Sequence, residues 1–345
     1  MKEKRYLDLL SIIAAFSVII LHVNGVFWEF SSTQSYWKSA LIIESVFYFA
    51  VPVFFMISGA TLMNFYERYG LGVYFKKRAV KTFVPFLFWS IMGLIVHVVF
   101  FKDIPVEALV FRNIFNGLMA FSSFVPVFWF FRPLFISYLA IPVFAGVEKS
   151  KKLKIFTYIA VTALILDFLF PFLNSCFKIR VNPNIVTIVG SYYLIFLFLG
   201  YIIDNVELKI TARVLIYLGG LAGLGFQLFG TYIRSMKAGA VDTAFKEYTN
   251  IPAILQGVAF FVFIKYAYRF IEKNKIVNKL IDVLRKYTFS FFLLHWFVIQ
   301  GLIKIFNIDQ YSILWRLFGF IPAAAICMGI AWVLRRVKVG RLILP

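Results

Sequence analysis

Charged residues are scarce in this sequence, and acidic residues are scarcer still. Only 15% of the 345 residues are charged, whereas a soluble domain has about 25%, and 36 Lys and Arg stand against 16 Asp and Glu. This balance excludes an ordinary soluble domain. Cysteine is also rare: Cys176 and Cys327 have neither disulfide nor metal-ligand spacing, so we interpret both as packing residues and expect no metal site.

Apolar side chains take the place of the missing charges. Hydrophobic residues make up 62% of the chain, aromatic residues 20%, and the mean hydropathy is +0.86. An apolar stretch of about 20 residues can span a membrane as a helix. The sequence therefore predicts an all-α polytopic membrane protein with a single membrane domain over 1–345. Its ten candidate spans are roughly 6–27, 40–63, 83–101, 126–145, 154–173, 185–203, 212–231, 251–270, 287–303 and 311–334.

The distribution of Lys and Arg predicts how these spans are oriented. If the N-terminus is inside, most of the 36 cations fall in the inner segments, as the positive-inside rule requires. We therefore expect a plasma-membrane protein with both termini in the cytoplasm, the loop 64–82 inside and the loop 102–125 outside. The same asymmetry accounts for most of the +20 net charge. We expect the lipid bilayer, and not nucleic acid, to be the partner of these cations.

The first span carries a stripe of polar residues. Ser11 and His22 are close to three helical turns apart, and Asp8 lies near the same face. Ionisable groups at membrane depth are costly and usually face a bundle interior or a wet cavity. A neutral imidazole can act as a general base, and Glu44, at a similar depth, could orient it. The alternatives are a buried histidine bonded to a neighbouring helix and an interfacial Glu44.

A second candidate region follows the second span. Ser58 and Gly59 are small enough to admit either another helix or a ligand, and Pro52 before them should kink the helix. Four cations then lie between residues 76 and 81. They could hold the phosphates of a cofactor. Membrane topology and contact with anionic lipid are the more common roles of such a cluster.

The order of these residues resembles the acyltransferase-3 family of integral-membrane acyltransferases, in particular the branch that acetylates sugars of envelope polysaccharides. The resemblance covers most of the chain and is strongest in 5–90 and near 287–297. The family usually has an arginine eleven residues before the first-helix histidine, where this chain has Ser11. The matching motifs are Asp8 with His22, Val-Pro-Val-Phe-Phe-Met-Ile-Ser-Gly at 51–59, Lys-Lys-Arg at 76–78 before Pro85, Trp-Phe-Phe-Arg-Pro-Leu at 129–134 with Tyr138 and Pro142, and Tyr-Thr-Phe-Ser-Phe-Phe-Leu-Leu-His at 287–295.

The resemblance implies transfer of an acyl group, usually acetyl, from cytoplasmic acyl-CoA (acetyl-CoA in the usual case) to a hydroxyl of a cell-envelope or lipid-linked sugar. Together with the residue chemistry, it assigns catalytic roles to His22, Glu44 and His295. Arg132 could bind an anionic acceptor group or neutralise Glu44. The remaining site residues are Asp8, Ser11, Ser58, Gly59, Lys77 and Arg78 for the cofactor and Trp129, Arg132 and Tyr138 for the acceptor substrate.

Two other functions stay open at this point. A transporter or flippase of a lipid-linked glycan would explain buried charges without catalysis. Against it, the sequence shows no pair of broken spans at matching positions in two halves. A non-catalytic membrane protein of the same fold is the second alternative, and Ser11 is the residue that supports it.

Several further residues receive provisional roles. His97 matches no family motif and is expected to pack. His295 could make a structural hydrogen bond to another helix instead of joining a site. Asp167 and Lys265 are buried charges that could take part in acceptor recognition. The segment between Glu272 and Lys286 alternates lysines with apolar residues at helical spacing, which favours a short helix on the inner leaflet or a solvated loop.

Overall fold

The computed structural model describes residues 4–182, 185–187, 189–190 and 192–345. These residues form helices and connecting loops, without any strand, and 78% of the chain is helical, so the predicted all-α class is confirmed. The predicted span 185–203 contains Ile188 and Ser191, which lie outside the described residues.

Ten apolar helices account for the predicted spans within the described part of the chain. Eight are long enough to cross a membrane, and α6 and α10 are shorter. Their number and composition confirm a polytopic membrane protein, while the side on which the termini lie stays a prediction. The helices are α1 (Arg5–Val23), α2 (Ser35–Glu67), α3 (Leu71–Phe101), α4 (Pro126–Ala145), α5 (Lys149–Phe177), α6 (Leu194–Asn205), α7 (Ile210–Ala238), α8 (Ile251–Ile271), α9 (Thr288–Phe306) and α10 (Phe320–Leu334).

Helix α2 is interrupted near Pro52, as the sequence predicted. Its two halves are Ser35–Phe47 and Ala50–Leu62, with a turn at Tyr48 and Phe49 between them. A proline ring clashes with the carbonyl group four residues before it, which for Pro52 belongs to Tyr48. The break therefore lies where the ring of Pro52 would meet an unbroken helix.

The expected loop 64–82 is largely helical, because the helix that contains the third predicted span begins before residue 83. Helix α3 begins at Leu71, so Lys77 and Arg78 lie on a helix and only the first part of the segment is a loop. The hydropathy pattern placed the start at 83 because the cations interrupt the apolar run. Lys and Arg are good helix formers, so the helix continues through them.

The chain divides into two compact units. Unit 1 contains the described residues up to Met63, Val147–Thr288 and Ile308–Pro322. Its closest packing joins α2 and α6, where a Cβ atom on Gly59 would lie 1.9 Å from the carbonyl oxygen of Leu197 and one on Gly200 would lie 2.0 Å from that of Met56. Glycines on both helices thus let the two backbones touch.

Unit 2 contains Asn64–Gly146, Phe289–Asn307 and Ala323–Pro345. Its centre is a cluster of aromatic rings from α3, α4 and α9. Phe86 packs against Phe131 with ring centroids 5.0 Å apart, and Phe131 against Phe292 at 5.3 Å. Trp89 of α3 donates to the carbonyl oxygen of Ile343 at 2.9 Å, which fixes the short helix Lys338–Ile343 in the same unit.

Asp167 and Lys265, which the sequence suggested for acceptor recognition, are bonded within unit 1. Lys265 of α8 donates hydrogen bonds of 2.8 Å to the carbonyl oxygens of Ile203 and Val206, which satisfies acceptors at the C-terminal end of α6. Asp167 accepts hydrogen bonds from the backbone and the hydroxyl of Thr187. Both side chains therefore hold chain segments together.

Within the described residues, three shorter helices lie between the long ones, and a fourth follows α10. They are Phe111–Met119, Lys275–Leu284, Ile313–Phe318 and Lys338–Ile343. Lys275–Leu284 confirms the short helix expected between Glu272 and Lys286. It exposes Ile276 and Leu280 while it buries Ile281, as a helix lying on a lipid surface would.

Candidate functional site

His22 lies in the last turn of α1 with a defined tautomer. Its Nδ1 is 2.7 Å from the carbonyl oxygen of Val18. A carbonyl oxygen can only accept, so Nδ1 must carry the proton that is donated. In the neutral imidazole the lone pair is then on Nε2, the atom that can take a proton from a substrate.

Two buried contacts hold this end of α1 against α2. Asn24 donates to the carbonyl oxygen of Ala40 at 2.9 Å, and Trp37 donates to that of Phe27 at the same distance. Trp37 and Phe27 are fully buried in one apolar cluster. These contacts bring the N-terminal half of α2, and Glu44 with it, to the region of His22.

Glu44 is 5% exposed and forms an ion pair with a lysine from a distant loop. Its Oε1 accepts a hydrogen bond of 2.8 Å from Nζ of Lys246, a residue that is 1% exposed. Its Oε2 is buried and has no hydrogen-bond partner within the part of the chain that the structure describes. Isolated charges are too costly to bury, so each of these two residues requires the other.

Aromatic rings surround the ammonium group of Lys246. Its Nζ lies 4.0 Å from the ring centroid of Tyr48, 4.6 Å from that of Phe27 and 4.9 Å from that of Trp28. Tyr48 in turn stacks on Tyr248, with centroids 4.0 Å apart. Cation–π attraction supplies part of the stabilisation that water would otherwise give the charge. Burial still lowers the pKa of Lys246, and the nearby Glu44 carboxylate opposes this shift.

Lys246 lies against Phe27 and Trp28, which follow α1 closely in the sequence, so the ion pair lies at the end of α1 that carries His22. The catalytic roles of His22 and Glu44 stay predictions. The structure also adds Lys246, for which the sequence indicated no site role. Glu44 is a buried partner of Lys246 and not a snorkelling interfacial acid.

The opposite end of the α1 stripe meets a different cation. Asp8 accepts a hydrogen bond of 3.1 Å from Arg285, which follows the helix Lys275–Leu284. Ser11 is one turn further along α1 and half-buried. Arg285 therefore approaches the stripe one turn from Ser11. The predicted cofactor-binding roles of Asp8 and Ser11 stay predictions.

Ser58 and Gly59 have packing contacts of their own. The hydroxyl of Ser58 donates to the carbonyl oxygen of Phe54 at 3.1 Å. Gly59 touches the backbone of Leu197, as described above. Helix packing explains the small size of Gly59, and cofactor binding by this pair stays a prediction.

In unit 2, the predicted cofactor cations lie among tyrosines. The guanidinium carbon of Arg78 is 5.3 Å from the ring centroid of Tyr138 and 5.9 Å from that of Tyr74. Nε of Arg78 is buried and has no hydrogen-bond acceptor among the described residues. Lys77 is exposed and lies 3.9 Å from the ring of Tyr69. Tyr138, predicted to bind the acceptor, thus neighbours a residue predicted to bind the cofactor.

The other predicted residues of unit 2 are His295, Trp129 and Arg132. His295 is fully buried in α9, and its Nδ1 lies 2.9 Å and 2.8 Å from the carbonyl oxygens of Phe291 and Phe292. Both of these hydrogen bonds are to residues of α9 itself. Arg132 is exposed at the beginning of α4. Trp129 packs on Phe130, with centroids 6.3 Å apart.

The comparisons with known proteins gave one match. A family model for the acyltransferase domain of the acyltransferase-3 family matches residues 4–332, which is essentially the whole chain. The comparisons with curated proteins and with solved structures returned no match.

Proposed function

The chain belongs to the acyltransferase-3 family of membrane acyltransferases, and from that premise we propose that it moves an acyl group from cytoplasmic acyl-CoA to a hydroxyl of a cell-envelope or lipid-linked sugar. Acetyl is the acyl group that the family resemblance favours. The proposed localisation is the plasma membrane, with both termini in the cytoplasm.

The observation that carries this proposal is the tautomer of His22. A base for acyl transfer needs an unprotonated nitrogen, and the hydrogen bond of Nδ1 to Val18 assigns the lone pair to Nε2. Glu44 and Lys246 form an ion pair at the end of α1 that carries His22. A base beside an ion pair can accept a proton more readily than a base beside a lone cation, because the carboxylate offsets the repulsion between the lysine and the new positive charge.

The proposed reaction needs no covalent acyl-enzyme. The acceptor hydroxyl oxygen forms a bond to the thioester carbonyl carbon while its proton passes to Nε2 of His22. Collapse of the tetrahedral intermediate breaks the carbon–sulfur bond, and the leaving sulfur takes the proton back from the imidazolium. The products are the acylated sugar and the thiol of coenzyme A, and His22 is neutral again.

The proposed binding site for coenzyme A uses the cations of α3. Arg78 and Lys77 can pair with phosphate oxygens, and a guanidinium does so with two parallel hydrogen bonds. The buried Nε of Arg78 offers a donor for such a bond, and the tyrosines around these cations offer faces on which an adenine could stack.

The family usually has an arginine at the position that Ser11 occupies in this chain, and Arg285 is a candidate to replace it. It comes from a different segment but contacts Asp8, one turn from Ser11. We propose that it supplies the cation that related sequences place on α1. Arg285→Gln should then lower turnover by at least tenfold, as loss of a charged hydrogen bond does, whereas Lys286→Gln, an exposed neighbour, should not. Full turnover of Arg285→Gln would contradict this role.

The purified full-length protein in detergent provides the test of the proposed function. Acetyl-CoA consumption should depend on an added lipid-linked or envelope glycan, and mass spectrometry should find that glycan heavier by one acetyl group. Glycan translocation across proteoliposomes without acetyl-CoA consumption would overturn the proposal in favour of a flippase. Neither activity, with intact protein and the native envelope extract as acceptor, would favour the non-catalytic alternative.

A further inference from the structure

An apolar groove lies where α2, α7 and α8 of unit 1 meet. Its volume is about 380 Å³, and ligand pockets usually have about 300–1,000 Å³. Leu221 and Phe263 in its wall are 65% and 52% exposed, so the groove is open to the bilayer. Its main lining residues are Phe49 of α2, Tyr217, Leu221 and Leu224 of α7, and Phe260 and Phe263 of α8.

A cation lies in line with this groove in the first turn of α7. Arg213 precedes Tyr217 by four residues, so both side chains project from one face of the helix. The guanidinium carbon of Arg213 is 4.3 Å from the ring centroid of Tyr266 in α8. Tyr217 meets α8 as well, with its ring centroid 6.3 Å from that of Phe263. Arg213 therefore lies between α7 and α8 at one end of the groove.

Arg213 has no acidic partner within the described residues, and its buried Nε has no hydrogen-bond acceptor there. Arg269 stacks on the same tyrosine, Tyr266, at 4.6 Å, but it donates to both carboxylate oxygens of Glu207 at 2.7 Å. Glu207 also accepts a hydrogen bond from the hydroxyl of Tyr266 at 3.2 Å. The acid of this region is therefore engaged, and Arg213 can pair with an anion from outside the chain.

The groove is as long as one leaflet of a bilayer. From Arg213 to Leu224, α7 rises by about 16 Å, and half of a hydrocarbon core of about 30 Å is about 15 Å. Near Leu224 the side-chain amides of Gln256 and Gln227 are bonded to each other at 3.1 Å, which ends the apolar lining. A single acyl chain, with its phosphate group at Arg213, matches both the length and the polarity of the groove.

We propose that this groove binds an anionic phospholipid of the leaflet that Arg213 faces, which is the cytoplasmic leaflet in the proposed orientation. The guanidinium donates two parallel hydrogen bonds to the phosphate group, and one acyl chain lies along α7 and α8. The chain reaches Phe49, which stacks on Phe260 with ring centroids 3.7 Å apart beside the break in α2. A polyprenyl chain is much longer than the groove and fits it less well. The proposed acyl transfer uses none of these residues.

The test is lipid binding by the delipidated full-length protein in detergent, measured by competition with fluorescent phosphatidylglycerol. Phosphatidylglycerol should compete better than phosphatidylcholine with the same acyl chains, because the choline cation offsets the charge of the phosphate. Glycerol 3-phosphate, which has no acyl chain, should not compete. Arg213→Gln should weaken the binding of phosphatidylglycerol by about 10- to 100-fold, as loss of charged hydrogen bonds does. Lys154→Gln, which removes an exposed lysine from the first turns of α5, is the matched control and should leave the affinity unchanged.

A second pair of variants tests the groove itself. Leu221→Trp should fill the groove and weaken the binding of both phospholipids. Leu221 is largely exposed, so the larger side chain should not disturb folding. Leu218→Trp is the control, since Leu218 is 56% exposed on the same helix and does not line the groove.

Unchanged affinity for phosphatidylglycerol in Arg213→Gln or in Leu221→Trp would overturn the proposal. Equal losses in Arg213→Gln and Lys154→Gln would also overturn it, because they would mean that the lipid responds only to net charge. A polyprenyl phosphate that competes better than phosphatidylglycerol would assign the groove to a lipid-linked substrate. A Leu221→Trp variant that dissociates a dimer without a change in lipid binding would assign it to a second copy of the chain. If Arg213→Gln does not fold, Leu221→Trp and the comparison of the two phospholipids still decide the question.

Discussion

Gly59 of α2 lies against the backbone of Leu197 in α6 so closely that a Cβ atom would meet the carbonyl oxygen at 1.9 Å. The contact is backbone against backbone, so no flexible side chain can move away. Gly200 makes the reciprocal contact with Met56. A glycine that the sequence suggested as part of a cofactor site therefore has a demonstrable packing role in the structure.

Gly59→Ala should destabilise the protein by about 1–3 kcal/mol or more, since overpacking a tight contact forces the backbones apart. Thermal unfolding in detergent, followed by loss of monodisperse protein, would measure the effect. Gly301→Ala is the matched control, because a Cβ atom there meets nothing within 4 Å. If Gly59→Ala unfolds like the unmodified protein but binds acyl-CoA weakly, cofactor contact and not packing is the main role of Gly59.

The extent of successful prediction differs between the fold and the site. The ten apolar helices could be predicted because hydropathy is a local property of each segment. The start of α3 could not, because Lys77 and Arg78 lower the hydropathy of a stretch whose helix propensity is high. The stripe on α1 was visible because helical spacing alone places Asp8, Ser11 and His22 near one face.

The ion pairs of the candidate site could not be predicted from the sequence. Lys246 reaches Glu44 across 202 residues and Arg285 reaches Asp8 across 277. Such pairs depend on how loops fold back onto helices, which no local pattern records. Lys246 itself is flanked by Phe245 and Glu247 in an ordinary loop composition. The one available signal was the presence of a matching unpaired acid, Glu44, on an apolar helix.

The membrane orientation predicts which loops are accessible from each side. Single cysteines at Gly70, between α2 and α3, and at Glu107, in the loop 102–125, should be labelled from inside and from outside, respectively. The background should carry Cys176→Ser and Cys327→Ala, and an impermeant thiol reagent added to intact cells and then to inverted vesicles would score each site. Labelling of the residue-70 cysteine in intact cells would reverse the orientation.

Arg78→Gln tests the proposed coenzyme A site. Loss of charged hydrogen bonds to a phosphate group should raise the KM for acetyl-CoA by about 10- to 100-fold, with a smaller change in kcat. Lys76→Gln is the comparison variant. Lys76 is an exposed cation of the same cluster, and the proposed site assigns no phosphate contact to it. Equal effects of the two variants would point to general attraction of an anion, and no effect of Arg78→Gln would remove it from the site.

The loop 239–250 should loosen in acid. The hydrogen bond from Arg234 holds the pKa of the Asp242 carboxyl below its ordinary value, although burial opposes the shift. A lowered carboxyl pKa means that the unfolded chain binds the proton more readily, so this ion pair contributes stability above the ordinary Asp pKa, near 4, and loses it as the pH falls through the lower value of the folded protein. Limited proteolysis of the loop between pH 3 and 7 would follow the change.

Asp242→Asn should make the loop equally susceptible at neutral pH and at pH 3, because the amide has no proton to gain. Glu107→Gln, in a loop of unit 2, provides a carboxyl variant that should retain the acid dependence. A loop of Asp242→Asn that still loosens only in acid would show that another group controls it.

His22→Ala should lower the rate of acyl transfer by about 10²–10⁴-fold, the usual contribution of a general base. Binding of acyl-CoA should persist, because the cations proposed for the cofactor are on α3. His22→Gln keeps a polar side chain without a useful base and should fail as well, and near-normal turnover in this variant would show that His22 acts only through hydrogen bonding. His97→Gln is the matched control, since His97 is bonded to Asp103 at 3.0 Å and stacks on Trp296. His295→Ala separates two roles for the buried imidazole of α9: loss of folding would mean that its bonds to Phe291 and Phe292 are structural, whereas normal folding with a rate as low as that of His22→Ala would assign His295 to the reaction.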